Sequence, residues 1–393
     1  MKTMNVTDTI RYVGVDDADL DLFESQYAVP RGISYNSYLI MDAKVAIMDT
    51  VDKRKSSEWW SNLAEALGGR TPDYLIVQHV EPDHAGCIGE VVDRYPEVQV
   101  VASARAAQML AQFFRYPPLL ERIMVVQEGN TLSLGHHTLQ FMMAPMVHWP
   151  EVMVTYDQTD KVLFSADAFG TFGILEGNIT DAENNEAWPD EARRYYYNIC
   201  GKYGQPVQAL IKKVSALDVQ RIHPLHGPML TENLAHYIGL YDKWSRYEPE
   251  SEGVLIAYAS IHGNTAKVAH IMASMIESKG VEVKLIDLCR TDISTAVAEA
   301  FRMKRLVLAA SSYDGGPFTP MHDFLHRIQI KGYKNRRVAL IENGSWAPSA
   351  GRVMKEMLAE MKDIDLVEPM VTLRSTLQPT DMPAMEALLA AMI

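Results

Sequence analysis

YLIVQHVEPDHAG, residues 74–86, is the stretch that decides how this chain is read. Tyr74 to Gln78 has the length and apolar character of a buried strand. His79, Glu81, Asp83 and His84 follow at once, two imidazoles and two carboxylates on one short loop, and Ala85-Gly86 lets the backbone turn away. Imidazole and carboxylate ligands together suit divalent zinc or iron. Three later residues extend the pattern: His148 in APMVHWPE, Asp167 in VLFSADAFG and His226 in IHPLHGP. Each follows a short apolar run and precedes small or turn-forming residues, so the side chains are expected to converge at the strand tips of one sheet. A single histidine at a strand end is ordinarily a satisfied polar residue. The joint order of seven such residues carries the argument.

That order, His-x-Glu-x-Asp-His followed by His, Asp and His, resembles the ligand set of the metallo-β-lactamase fold. The usual first element there is His-x-His-x-Asp-His, which holds two zinc ions. Here Glu81 replaces the second histidine, and a harder anionic oxygen moves the preference toward iron. The same replacement marks the flavodiiron branch of that fold. Charge counting agrees. Three carboxylates and two Fe²⁺ ions leave one positive charge, which a bridging hydroxide balances, and a near-neutral site can be buried at little cost.

A second stretch, GVLIAYASIHGNTAKVAHIMASMIESKG, begins at Gly253. A strand over 254–259 meets a loop of small and hydroxyl residues, Ser260, Ile261, His262, Gly263, Asn264 and Thr265. A helical pattern then runs through Val268, Ile271, Met272 and Ile276. Strand, short loop and helix N-terminus make a ready anion site. The loop holds neither Lys nor Arg, and both GxxxxGK[ST] and GxGxxG are absent, so a monophosphate suits it better than a triphosphate. Two more strands, RLVLAA and RRVALIE, are followed by SSYDGGPFTP and NGSWAPSAG. Ligands of doubly wound sheets bind where such loops leave successive parallel strands. The segment resembles a flavodoxin domain. By that resemblance the 260–265 loop holds the FMN phosphate. Ser312, Tyr313, Asp314 and Gly315 form the second flavin loop, and Asn343, Gly344, Ser345, Trp346 and Ala347 the third. His262 stands where flavodoxins commonly have Thr.

The chain has 393 residues and a net charge of −13, with no long basic run, which argues against nucleic acid or an anionic membrane as main partners. No apolar run reaches membrane-spanning length, and the N-terminus lacks a signal-peptide pattern, so a cytoplasmic protein is expected. Three scattered cysteines, with no Cys-x-x-Cys pair, point away from a disulfide framework or a built-in rubredoxin or iron–sulfur module. The polar stretch RYEPESE, 246–252, marks the expected boundary between domains of residues 1–249 and 250–393. The predicted architecture is a metallo-β-lactamase-like αββα sandwich followed by a flavodoxin-like doubly wound parallel sheet.

Taken together, the chain resembles the flavodiiron proteins over essentially its full length, in their minimal two-module form. The resemblance implies one iron on His79, Glu81 and His148, another on Asp83, His84 and His226, and Asp167 bridging. It implies reduction of O₂ to water, of NO to N₂O, or both, with electrons passed through FMN. The electron donor would be a rubredoxin, a flavin reductase or reduced deazaflavin. It further implies a head-to-tail homodimer, or a dimer of dimers, in which one chain's flavin serves the other's irons. Some members carry a histidine where this chain has Glu24, and Tyr195 is a second candidate beside the ligands. Two other readings share the motifs: a zinc-dependent hydrolase fused to a flavodoxin domain, which Glu81 disfavours, and a non-catalytic flavin electron carrier with a structural metal.

Overall fold

The computed structural model describes residues 4–180 and 188–393. The chain divides into two compact units. The first runs to Tyr196 and resumes over Gln205–Asp242; the second comprises Tyr197–Gly204 and Lys243–Ile393.

The first unit is a sandwich of two sheets. Its larger sheet orders the strands Met4–Asn5, Ile10–Tyr12, Tyr38–Met41, Val45–Met48, Tyr74–Val77, Gln99–Ser103 and Ile123–Val126. Pairing is antiparallel up to Val45–Met48 and parallel beyond it. The smaller sheet orders Thr131–Ser133, Thr138–Met143, Met153–Asp157, Val162–Phe164 and Arg221–His223. The inner faces share one buried cluster, with Tyr38, Ile40, Met48, Ile76 and Val101 from one sheet and Leu139, Phe141, Met153 and Phe164 from the other. Alternate residues point inward because side chains in a strand repeat every second position. The helices Ser56–Leu67 and Ala104–Phe114 pack on the larger sheet.

SYNSYLI reads as one strand in sequence but forms two. Ile33–Tyr35 pairs with Val15–Asp17 in a separate ribbon, while Tyr38–Met41 joins the large sheet. Asn36 and Ser37, at the break, are fully buried. Asn36 Nδ2 donates to the carbonyls of Pro224 (2.9 Å) and Gly227 (2.7 Å), and Ser37 Oγ to that of Asp49 (2.9 Å). The interruption therefore anchors the loop on which His226 sits.

The second unit is a parallel sheet in the order Val283–Asp287, Ser251–Ala259, Met303–Tyr313, Arg336–Asn343 and Ile364–Leu366, with Val371–Leu373 also parallel to Arg336–Asn343. The chain moves outward from Ser251–Ala259 in both directions, so a topological switch point lies at that strand's carboxyl end. Register pairs Ala259 with Ala310 and Ser311 with Asn343, which brings the loops that follow these strands to one edge.

Candidate metal and flavin sites

In the first unit the loop after Tyr74–Val77 turns into a short helix, Pro82–Ala85, whose N-cap is Glu81. Two residues at the end of the neighbouring Val45–Met48 strand fix its path. Asp49 Oδ1 accepts from Gln78 N at 2.7 Å and Asp49 Oδ2 from Gln78 Nε2 at 2.8 Å, while Thr50 Oγ1 donates to the His84 carbonyl at 2.6 Å. Gly86 is required for closeness and not for an unusual backbone angle: its φ is −58°, and a Cβ there would lie 2.6 Å from Lys53 N and 2.8 Å from the Val51 carbonyl.

The seven ligand-type residues of the sequence reading gather in one buried place. His79, Glu81, His148 and Asp167 form one group, and Asp83, His84 and His226 another. Glu81 Oε2 lies 3.2 Å from His79 Nε2 and 3.0 Å from His148 Nε2. In the second group His84 Nε2 is 3.1 Å from His226 Nε2, and Asp83 Oδ2 is 3.4 Å and 3.3 Å from those two nitrogens. Asp167 faces both groups with one oxygen each: Oδ2 is 3.0 Å from His148 Nε2, and Oδ1 is 3.2 Å from His84 Nε2. Separations near 3.0–3.5 Å are the edges expected of coordination polyhedra whose metal–ligand bonds are about 2.0–2.2 Å.

The electrostatics fit a cation pair. Burial disfavours charge on His148, but Asp167 and Glu81, by hydrogen bond and by charge, push its pKa up to about 9. Against their burial, His79 is raised by Asp167, Glu151 and Glu81, and His84 by Asp83 and Asp167. Burial likewise opposes charge on Asp167 and Glu81, yet the surrounding imidazoles hold both well below the usual carboxylate range. Both oxygens of Asp83 and Oδ1 of Asp167 are buried without a hydrogen-bond donor among the described residues. Such acceptors are costly unless a cation serves them, and two divalent ions fit the donor set.

Around the ligands, Phe23 packs edge-on to His226 (centroids 5.4 Å apart), and Tyr195 lies 5.6 Å from the same ring. Glu24 itself is exposed at a backbone φ of 48°, its carboxylate accepting from Gln26 Nε2 at 3.1 Å. Phe23 is thus the residue of that hairpin shown against a ligand ring. A further group, His137, Asp157 and Asp160, has both imidazole nitrogens already engaged, Nδ1 with Asp157 (2.7 Å) and Nε2 with Thr9 (2.8 Å). It reads as a buried hydrogen-bond network.

In the second unit a cavity of about 710 Å³ is lined by Ser260, Ile261, His262, Asn264, Thr265, Ser312 to Gly315 and Asn343 to Ala347. Gly263, absent from the lining, shapes the loop: it holds φ at 89° and caps the Asn264–Glu277 helix, and its amide donates to Ser260 Oγ at 3.1 Å. First-turn amides of a helix lack intrahelical partners, so this end offers donors to an anion. Tyr313 and Trp346 stand at the rim, Trp346 being 88% exposed. Ser311, Ser349 and Ser375 also line the cavity, and sequence reasoning missed them. Thr265 Oγ1 and Ser311 Oγ lie 2.9 Å apart, and Asn343 Nδ2 donates to the Ser375 carbonyl at 2.9 Å. Asn343 Oδ1 is buried without a donor among the described residues, an acceptor suited to a ligand hydroxyl. The second nearby helix end, at Ala350–Ala359, is already occupied: Ser312 Oγ accepts from Ser349 N and Ala350 N, and Glu342 accepts from Gly351 N at 2.8 Å. One free helix end suits one phosphate.

A two-sheet sandwich whose strand-end loops bring imidazoles and carboxylates together, joined to a flavodoxin-like sheet, defines a class of two-module redox protein. The profile of the ODP family beta lactamase matches residues 33–227. An uncharacterized protein of Methanocaldococcus jannaschii is 30% identical over 362 residues, covering 92% of this chain and 90% of that protein. The anaerobic nitric oxide reductase flavorubredoxin of Aeromonas hydrophila is 29% identical, over 93% of this chain and 74% of its own length. Among solved structures, rubredoxin oxygen:oxidoreductase from Desulfovibrio gigas aligns with a TM-score of 0.94 at 24% identity, covering 100% of this chain and 98% of that one. The flavodiiron protein of Giardia intestinalis aligns at 0.93 and 22% identity, covering 100% and 96%. The chain belongs to the flavodiiron family, whose proteins carry FMN and a diiron site.

Proposed function

We propose that this protein reduces O₂ to water, NO to N₂O, or both, with electrons delivered through FMN. The observation that carries the reading is Asp167, a single carboxylate facing two adjacent ligand groups with a different oxygen toward each. His79, Glu81 and His148 would hold one iron, Asp83, His84 and His226 the other, and Asp167 would bridge. The cavity loops at 260–265, 312–315 and 343–347 would hold FMN. When bound, FMN would supply a two-electron store and the irons would supply further redox equivalents.

The chain's own residues set the conditions for that chemistry. The ligands sit on strand-end loops clamped by Asp49 and Thr50, which holds the geometry fixed as charge changes. Phe23 and Tyr195 line one side of His226 with apolar ring surface, which excludes water and suits a small uncharged gas.

The two sites lie on different units of the chain, which agrees with delivery between chains of a head-to-tail homodimer. A soluble donor, a rubredoxin, a flavin reductase or reduced deazaflavin, would reduce FMN in the cytoplasm. No helix among the described residues is long and apolar enough to cross a membrane.

The test is to purify the protein anaerobically, measure iron, zinc and FMN per chain, and follow O₂ and NO loss with a reduced donor. Two irons, one FMN and gas consumption support the reading; full activity with zinc in place of iron overturns it. A mixed dimer of one metal-dead chain (His148→Ala with Asp167→Ala) and one flavin-dead chain (Thr265→Arg) tests the route. Recovered activity supports transfer between chains, and an inactive but fully loaded mixed dimer refutes it.

A further inference from the structure

We propose that the two metal positions are unequal, and that Glu151 makes them so by acting as a positioning residue behind His79. The inference rests on the two-metal reading above and extends it to the order in which the positions fill.

The three histidines for which the structure defines the second ring nitrogen have different partners. His79 Nδ1 meets Glu151 Oε1 at 2.7 Å, with both side chains fully buried. His226 Nδ1 donates to the Ser34 carbonyl at 2.7 Å. His84 Nδ1 is buried with no hydrogen-bond partner among the described residues. Carboxylate, carbonyl and no partner form a descending series of acceptors. An imidazole that donates to a buried carboxylate gains negative character at its other nitrogen and becomes a stronger metal ligand. The effect falls on one position alone, since His79 belongs to the group with Glu81 and His148.

Glu151 is held for this task. Its Oε1 also accepts from Val80 N at 3.1 Å, and its carbonyl accepts from Ser103 Oγ at 2.8 Å. Oε2 is buried with no donor among the described residues. A buried carboxylate with one bare oxygen is costly unless positive charge stands nearby, and the imidazole with its metal provides that charge. Glu151 also revises the charge count made from sequence. With Glu81, Asp83 and Asp167 it brings four negative charges to the ligand cluster, equal to two divalent ions, and the fourth lies entirely on the His79 side.

The consequence is ordered loading: the His79–Glu81–His148 position binds first and more tightly. The test is an anaerobic titration of the metal-free protein, FMN retained, with Co²⁺, followed by calorimetry and by cobalt ligand-field absorption. Wild type should show two resolved steps. Glu151→Gln keeps the shape and an acceptor for His79 but removes the charge. It should weaken the first step by about 10–100-fold and leave the second within a few-fold. Glu151→Asp should restore part of the difference. Equal weakening of both steps would mean a merely structural role, and no change in either would remove Glu151 from the argument; each overturns the proposal. A wild type that binds fewer than two ions fails the two-metal reading itself, a distinct result. A second comparison holds even if the Glu151 variants do not fold. Glu81→Ala should leave a site matching the weaker wild-type step, and Asp83→Ala one matching the tighter step. The reverse assignment overturns the proposal.

Discussion

His223 should make the first unit sensitive to acid, and the size of the effect follows from its surroundings. The ring is fully buried in the Arg221–His223 strand, stacked on Tyr38 at 5.0 Å with a 22° interplanar angle and edge-on to Phe164 at 5.3 Å. Neither ring nitrogen has a hydrogen-bond partner among the described residues. Burial, aided by the charge of Arg221, pushes its pKa down to about 3. In the unfolded chain the value is about 6.5. A depressed histidine means that the unfolded chain takes the proton first as pH falls. Stability from this group is therefore whole above pH 6.5, declines below it, and stops declining near pH 3. The gap of about 3.5 pKa units corresponds to about 5 kcal/mol at the limit, and about 2 kcal/mol is lost by pH 5. His223→Leu removes the titrating group at similar volume. Urea unfolding of the first unit, measured on both proteins at pH 7.5, 6 and 5, isolates the effect, because contributions from the metal-site histidines are common to both and cancel. Wild type should lose about 2 kcal/mol relative to the variant between pH 7.5 and 5. Parallel pH dependences in the two proteins would refute the reasoning and imply a hydrogen-bonded or hydrated imidazole.

Three further outcomes are expected. Asp167→Asn removes the carboxylate that faces both ligand groups, so iron should fall from two per chain toward one or fewer by elemental analysis while FMN remains. Gly86→Ala places a methyl 2.6 Å from Lys53 N, and the ligand loop must shift; a loss of about 1–3 kcal/mol in unfolding free energy and reduced iron retention should follow. Asn264→Asp sets a negative charge at the helix end offered to the flavin phosphate. FMN should bind at least about tenfold more weakly by fluorescence titration, with iron content unchanged.

Much of both candidate sites was legible in the sequence because the residues that form them are local. His79, Glu81, Asp83 and His84 lie on one turn, and the proposed flavin loops each follow an apolar strand, so motif and periodicity point to them without a fold. His148, Asp167 and His226 were legible only through their order. The strand signals held for YLIVQ and VLFSA, but SYNSYLI concealed a break that only buried hydrogen bonds to Pro224 and Gly227 explain. Ser311, Ser349 and Ser375 escaped notice because serine near a strand end signals nothing until three loops share one cavity. Glu24 gave the opposite lesson: the sequence drew attention to it, and the fold leaves it exposed while Phe23 reaches His226.

What the sequence determined by itself is therefore the chemistry: which donors are present, their softness and charge, and the two kinds of sheet that carry them. Tertiary structure alone decided how those donors are supported. Glu151 is 72 residues from His79, and Ser34 is 192 from His226. A carboxylate or a carbonyl at such separation carries no pattern of its own. Its partner is chosen by the packing of two sheets, which sets the distance, excludes water and so gives a 2.7 Å hydrogen bond its strength.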